Sequence, residues 1–491
     1  MTSGPNVVLV VLDTARADAL EPYGAPPGST PALADLARRG TRFDNVFSTA
    51  NWTLPSHVSM LTGALPREAG LSLSIGDATE KGLNAAAVAS LGPRSLPAVL
   101  SAAGWDARGA SANPWVSNAN GFAAGFADFH DVMGTRKASP FASSKPGQRR
   151  LAAAVQQRYA AAVFAAEALV ARADDGAAAL LDALRSMLAA RDRTRPFMWF
   201  FNVLECHSPY LPPRKFARLG PRERVQESVD HRRYGTLVAT GQVNCGALGV
   251  PPDVVDRMRR AYGGAVKAAD AWVGALMEEL DRNGLLDETL VIVTSDHGEN
   301  LGESGRLAHA VWLDDRLIRV PLIAAGPVSL PVDGVTSLVS LPALIAEAVG
   351  VADHPWQDPA HAGGVAVAQS DAVVRADDPR LPAVIAEHDL DDYVVWRMTT
   401  PSTCAVDGTL KLVREGDDDW LFDVSNDPLE LEPIRVDGRS ILEWGDRVRR
   451  LRSAVDAAAP SESAAAAPVR WEAPAEVDED LSARLRMLGY L

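Results

Sequence analysis

The residue types able to do nucleophilic, acid–base or metal chemistry fall into short clusters that lie far apart in the chain. Asp13-Thr14 closes an apolar run, residues 7–12 (VVLVVL). Thr53 and His57 stand in residues 51–57 (NWTLPSH), where Pro55 suits the first turn of a helix. Asp296-His297 follows a second apolar run, residues 289–294 (TLVIVT), and His309 comes twelve residues after His297. His207 follows a third run, residues 197–204 (FMWFFNVL). A carboxylate beside an imidazole offers an oxygen and a nitrogen ligand to a divalent metal. A threonine at a helix start sits where backbone N–H groups and the helix dipole favour an anion, as an ionised nucleophile or a bound phosphate requires. Each feature alone has a plainer reading. Asp13 and Thr53 both suit helix N-caps, and a single histidine is more often structural than catalytic. Four of nine histidines standing just past an apolar run or at a helix start are harder to ascribe to packing.

The elements that must position these groups alternate between strand and helix. The three apolar runs read as buried parallel strands. Residues 30–40 and 253–281 read as helices, the second stopped by Asn283-Gly284. An Ala-rich helical stretch spans residues 149–191 and is broken at Asp174-Asp175-Gly176. Such alternation predicts an α/β fold with a large, mostly parallel sheet sandwiched by helices, which binds ligands at the C-terminal ends of its strands. After about residue 380 the texture changes. Residues 392–398 and 409–413 read as short strands, with turns at Asp407-Gly408 and Glu415-Gly416. The expected organisation is a catalytic domain at 1–378, a small antiparallel α+β subdomain at 379–455, and an Ala-rich linker and tail at 456–491.

Composition narrows the function classes. The chain has 491 residues, with 48 Lys+Arg against 63 Asp+Glu, a net charge of −15. That acidity argues against nucleic acid as a partner. Cys206, Cys245 and Cys404 are too scattered for a disulfide framework or a metal knuckle. The N-terminal apolar run is far shorter than the ~18 residues of a spanning helix and lacks a basic flank. We therefore expect a cytoplasmic protein with no membrane partner, and leave an oligomer open.

Together these residues resemble the sulfatase family of the alkaline phosphatase superfamily. Residues 8–18 (VLVVLDTARAD) look like its opening strand and first metal ligand. Residues 53–63 (TLPSHVSMLTG) occupy its signature of Cys or Ser, any residue, Pro, Ser, Arg, then Thr-Gly. Residues 121–131 (GFAAGFADFHD), 207–210 (HSPY), 293–305 (VTSDHGENLGESG), 319–322 (RVPL), 420–430 (WLFDVSNDPLE) and 484–491 (RLRMLGYL) resemble further family segments.

The departures bear on mechanism. True sulfatases oxidise the signature Cys or Ser to formylglycine. Thr53 is a secondary carbinol, so no aldehyde and no formylglycine can form from it. A phosphorylated threonine can still be resolved by attack at phosphorus, which tilts the chemistry towards phosphoryl or phosphonyl transfer. Thr14 stands where many sulfatases have a second Asp, and His297 where they have Asn. The resemblance implies one divalent metal on Asp13, Thr53, Asp296 and His297, like the set of phosphonate monoester hydrolases. That donor set favours Mn²⁺ or Zn²⁺ over Ca²⁺ or Mg²⁺. His57 replaces the signature Arg as a catalytic candidate. Thr14 and Asn113 are expected to touch substrate.

The leading expectation is a metal-dependent hydrolase of phosphate diesters or phosphonate monoesters, acting on a small-molecule ester through Thr53. His207 is favoured as the acid that protonates the leaving group, with His309 binding the transferred group. The alternatives are a transferase that passes a phosphoryl or sulfuryl group to a small acceptor, and a non-catalytic homologue.

Overall fold

The computed structural model describes residues 4–71, 83–132, 174–210, 212–332, 334–356, 364–436 and 438–458. The main sheet has seven strands: β1 (Asn6–Leu12), β2 (Thr41–Phe43), β3 (Asp106–Ser111), β4 (Asp128–Asp131), β5 (Phe197–Val203), β6 (Thr289–Thr294) and β7 (Leu322–Ala325). Their spatial order is β2-β7-β6-β1-β5-β3-β4. The contacts from β6 through β1, β5 and β3 to β4 are parallel; β7 runs antiparallel to β6 and to β2.

Every residue of β1 is buried, because the strand has no polar face to turn to water. Its side chains alternate between two cores. Val8, Val10 and Leu12 pack against Leu33 of α1 (Pro31–Arg39), Leu184 of the helix Ala177–Ala190 and Trp272 of the helix Pro252–Arg282. Val7, Leu9 and Val11 share the opposite core with Val58 and Leu61 of α2 (Thr53–Thr62). We number the remaining helices used below α3 (Ala177–Ala190), α4 (Leu237–Asn244), α5 (Pro252–Arg282), α6 (Asp392–Thr399) and α7 (Gly438–Ala457). The break expected at residues 174–176 stands at the start of α3, where Gly176 takes a φ of 116°. The expected helix over 149–173 and the tail at 459–491 lie outside the described residues. Among the described residues no helix is long and apolar enough to cross a membrane.

The second sheet is antiparallel, with β8 (Ala366–Ser370), β9 (Ser402–Val406), β10 (Leu410–Glu415), β11 (Asp418–Asp423) and β12 (Ile434–Arg435) in chain order. Its first strand precedes residue 379, so the sheet draws on chain from both sides of the expected boundary. One expectation is corrected. Residues 392–398 form helix α6, not a strand, because Asp391 caps Val394 N at 2.8 Å. A run as short as DYVVWRM carries no decisive period, and the cap settles it.

The two sheets are tied together by a buried ion pair. Lys411 on β10 is fully buried, and its Nζ donates to Glu430 Oε2 at 2.8 Å. Glu430 Oε1 accepts from Asp315 N at 2.6 Å, in the short helix Asp315–Ile318 beside the main sheet. Lys411 Nζ also lies 3.5 Å from Asp315 Oδ1, so deleting the lysine leaves two carboxylates without their shared cation in a low dielectric. Lys411→Ala is expected to lower unfolding free energy by about 3–5 kcal/mol. Lys411→Met combined with Glu430→Gln, which removes both charges of the pair and keeps an acceptor for Asp315 N, should recover part of it, as read by chemical denaturation of both variants.

Candidate active site

The order β6-β1-β5-β3 places four polar strand ends side by side. Asp296 follows β6, Asp13 follows β1, Asn202 lies near the end of β5, and Asn113 stands just past β3. Asp13 N donates to Val203 O at 2.9 Å, which extends the β1–β5 ladder by one residue and fixes the carboxylate at the edge. Thr14 then takes a left-handed φ of 58°, unfavourable for a β-branched residue. Two bonds hold that turn. Thr14 N donates to Asp296 Oδ1 at 3.1 Å, and Tyr262 OH on α5 donates to Thr14 O at 2.9 Å.

Asp13, Asp296 and His297 are buried, and their ligand atoms all lie within 4.8 Å of one another. His297 Nδ1 donates to Gly298 O at 2.9 Å, so Nε2 is the atom turned to the carboxylates. It lies 3.4 Å from Asp296 Oδ2. Asp13 Oδ1 and Asp296 Oδ2 are buried without a hydrogen-bond partner among the described residues. Buried carboxylate oxygens of this kind need a cation, so this donor set fits a divalent metal held by Asp13, Asp296 and His297. Burial first, then the neighbouring Asp296, pushes the Asp13 carboxyl above its ordinary value of 3.8. Burial and then His309 lower the His297 pKa to about 3, which keeps the imidazole neutral as a ligand must be.

Thr53 opens α2, whose ten residues are all buried. Its Oγ1 lies 3.4 Å from His297 Nε2 and 3.4 Å from Asn113 Nδ2. Asn113 Nδ2 also donates to Asp13 Oδ2 at 2.6 Å, so Asn113 links the candidate nucleophile to the first carboxylate. His57 sits one turn along α2. Its Nδ1 donates to Thr53 O at 2.9 Å and its Nε2 accepts from Asn202 Nδ2 at 3.0 Å. Both ring nitrogens are thereby engaged, so His57 braces the helix start and acts as a positioning group rather than as a cation presented to substrate. The bonding of Thr14 runs through its backbone, while its Oγ1 is buried without a partner among the described residues.

The two remaining histidines face the cluster. His207 Nδ1 donates to Ser208 O at 2.6 Å, and its ring centroid lies 5.1 Å from that of His309. His309 is 4.6 Å from the His297 ring, and its Nδ1 pairs with Glu299 Oε1 at 3.0 Å. Burial alone pulls the His309 pKa down, but Glu299 and the site carboxylates outweigh it, and the net shift is upward. The structure therefore gathers Asp13, Thr14, Thr53, His57, Asn113, His207, Asp296, His297 and His309 at one sheet edge. Asn202 and Glu299 were missed as partners. A lone Asn in the buried strand FMWFFNV was the available signal for the first; the second stood unassigned beside Asp296-His297.

The sulfatase family profile matches residues 5–353, a span that holds this whole cluster, and the chain belongs to the sulfatase family. A choline-sulfatase of Rhizobium meliloti is 28% identical over 273 residues, 50% of this chain and 47% of that protein. The match thus spans about half the length of that curated relative. A low-salt glycan biosynthesis sulfotransferase of Haloferax volcanii is 35% identical over 105 residues, 20% of this chain and 26% of its own length. The solved phosphonate monoester hydrolase of Silicibacter pomeroyi shares the fold, with a TM-score of 0.58 and 20% identity over 91% of this chain and 94% of that one.

Asp13→Asn and Asp296→Asn are each expected to purify without stoichiometric metal by inductively coupled plasma mass spectrometry. Full occupancy in either would remove that residue from the ligand set. In chelator-treated protein the raised Asp13 pKa has a definite sign. The folded state holds its proton more tightly, so stability is greatest below the ordinary value of 3.8 and falls as pH rises through the raised folded value. Chelated Asp13→Asn should consequently melt higher than the chelated parent at neutral pH.

Proposed function

We propose that the chain is a metal-dependent hydrolase of phosphate diesters or phosphonate monoesters that uses Thr53 as its nucleophile. The observation that carries this reading is the place of Thr53 Oγ1, at the start of α2 and 3.4 Å from His297 Nε2, beside the buried carboxylates. A sulfated threonine has no hemiacetal route for release, whereas a phosphothreonine can be attacked at phosphorus. A bound Mn²⁺ or Zn²⁺ would supply Lewis acidity that favours ionised oxygens at the site. Thr53 Oγ1, already ionised, forms the bond to phosphorus while the ester bond to the leaving alcohol breaks, and it departs ionised again when the intermediate is resolved. The leaving oxygen takes its proton from a histidine. Water then attacks the phosphothreonine at phosphorus, giving its proton to the same histidine, and the Oγ1–P bond breaks. The N-terminal N–H groups of α2 favour the anionic oxygens through both steps.

Of the two histidines, His309 is the better supported acid. Glu299 takes up its Nδ1 at 3.0 Å, and the same carboxylate favours the protonated ring. His207 Nδ1 donates to the carbonyl of Ser208. This reverses the order expected from sequence. A transferase shares the Thr53 intermediate, and the 35% identity to a sulfotransferase over 105 residues favours keeping it as a second reading. Product formation that requires an added alcohol or amine would select the transferase; donor turnover alone selects the hydrolase.

Thr53→Ala is expected to lose activity by on the order of 10³-fold or more towards nitrophenyl phosphodiesters and phosphonates, with metal content retained. Parental turnover by the purified variant would exclude Thr53 as nucleophile. His309→Ala should slow an alkyl ester by roughly 10²–10⁴-fold and a nitrophenyl ester much less, because the better leaving group needs no proton. Equal slowing of the two esters would rule His309 out as the acid.

A further inference from the structure

The loop that carries His309 holds an unfavourable backbone. Ala308 has a φ of 56° and Val311 a φ of 78°. For a β-branched valine that conformation persists only where surrounding contacts impose it. Arg397 donates to Val311 O at 3.2 Å, and the residues on either side of His309 are held by Asn244, the buried last residue of α4. Asn244 Oδ1 accepts from Leu307 N at 2.7 Å, two residues before His309. Its Nδ2 donates to Ala310 O at 3.1 Å, one residue after. Its main-chain carbonyl, among those a helix leaves unpaired in its last turn, accepts from Trp312 Nε1 at 3.1 Å. The Trp312 ring lies between two guanidinium groups, 3.9 Å from that of Arg306 and 3.8 Å from that of Arg397 on α6. Trp312 O in turn accepts from Asn51 Nδ2 at 3.0 Å, two residues before Thr53.

We propose that Asn244 is the positioning residue of His309. It clamps the loop on both sides of the histidine and holds the strained turn that sets the imidazole between His207 and His297. Through Trp312 the same residue ties the histidine loop to the segment that leads into Thr53. Asn244 touches neither the ligand cluster nor the reacting oxygens, so its effect is transmitted through His309. The proposal rests on the reading of His309 as the leaving-group acid.

The test is a double-mutant cycle on the full chain, with Asn244→Ala, His309→Ala and the combined variant. Asn244→Asp keeps the acceptor for Leu307 N and the side-chain size but loses the donor to Ala310 O, and serves if the alanine variant fails to fold. We expect kcat for an alkyl ester to fall by roughly 10²-fold in the Asn244 variants, with KM and metal content near parental, since misplacement of a catalytic group by about 1 Å has that effect. Amide hydrogen exchange over residues 306–313 should quicken, and the combined variant should be no slower than His309→Ala alone. Additive losses, or parental kcat with quickened exchange, would overturn the proposal. If His309→Ala slows both ester types equally, the acid assignment fails on its own, while the coupling between positions 244 and 309 still decides the positioning claim.

Discussion

Two carboxylates of like charge, Asp13 and Asp296, are buried together at the edge of the main sheet, with His297 in the same 4.8 Å cluster. Like charges out of water repel and lose hydration, so such a pair is unfavourable unless donors or a cation surround it. The donors supplied by the fold come from every neighbouring element. Thr14 N and His297 N both reach Asp296 Oδ1, while Asn113 and Asn202 both reach Asp13 Oδ2. One oxygen of each carboxylate is thus satisfied by hydrogen bonds, and the other has none among the described residues, as a donor set that could hold a metal would. The parallel sheet is what allows this, since adjacent parallel strands end on one edge and bring residues hundreds of positions apart into contact.

Strained turns place the remaining groups, and in both cases a distant polar side chain holds the strain. Tyr262 on α5 takes Thr14 O and the amide of Arg16, so that the chain leaves β1 sharply enough to keep Asp13 aimed into the cluster. Asn244 at the end of α4 grips the histidine loop in a comparable way. In both, a rigid helix backs an irregular segment, which suits a site whose geometry must not drift. His57 adds a third brace. It spans the Thr53 carbonyl and Asn202, and Asn202 in turn reaches Asp13, so the helix start and the first carboxylate are fixed relative to one another.

The antiparallel sheet is part of the same arrangement rather than an appendage. Lys411 and Glu430 fasten it to Asp315, and Asp314 beside it accepts from Asn300, three residues past His297. Arg397 on α6 completes the stack on Trp312 and donates to Val311 O at 3.2 Å. The C-terminal part of the chain therefore supports the loop around His309 from one side, while Asn244 and Glu299 hold it from others.

Local pattern was enough to read a good deal of this. Unbroken apolar runs announce buried parallel strands wherever they occur, and a polar residue directly after such a run must lie at the sheet edge. Asp13, Asp296, His297 and the α/β class were legible for that reason, and Pro55 marked the helix that Thr53 opens. What the tertiary structure alone decided are the partners across long separations: Asn202 with His57, 145 positions apart, Tyr262 with Thr14, 248 apart, and Asn244 with Leu307, 63 apart. It also decided between helix and strand for residues 392–398. Short-range periodicity reports only which face of its own element a residue occupies. Which group stands opposite depends on how the elements pack, and that is where hydrogen-bond donors, burial and the geometry of the cluster are settled.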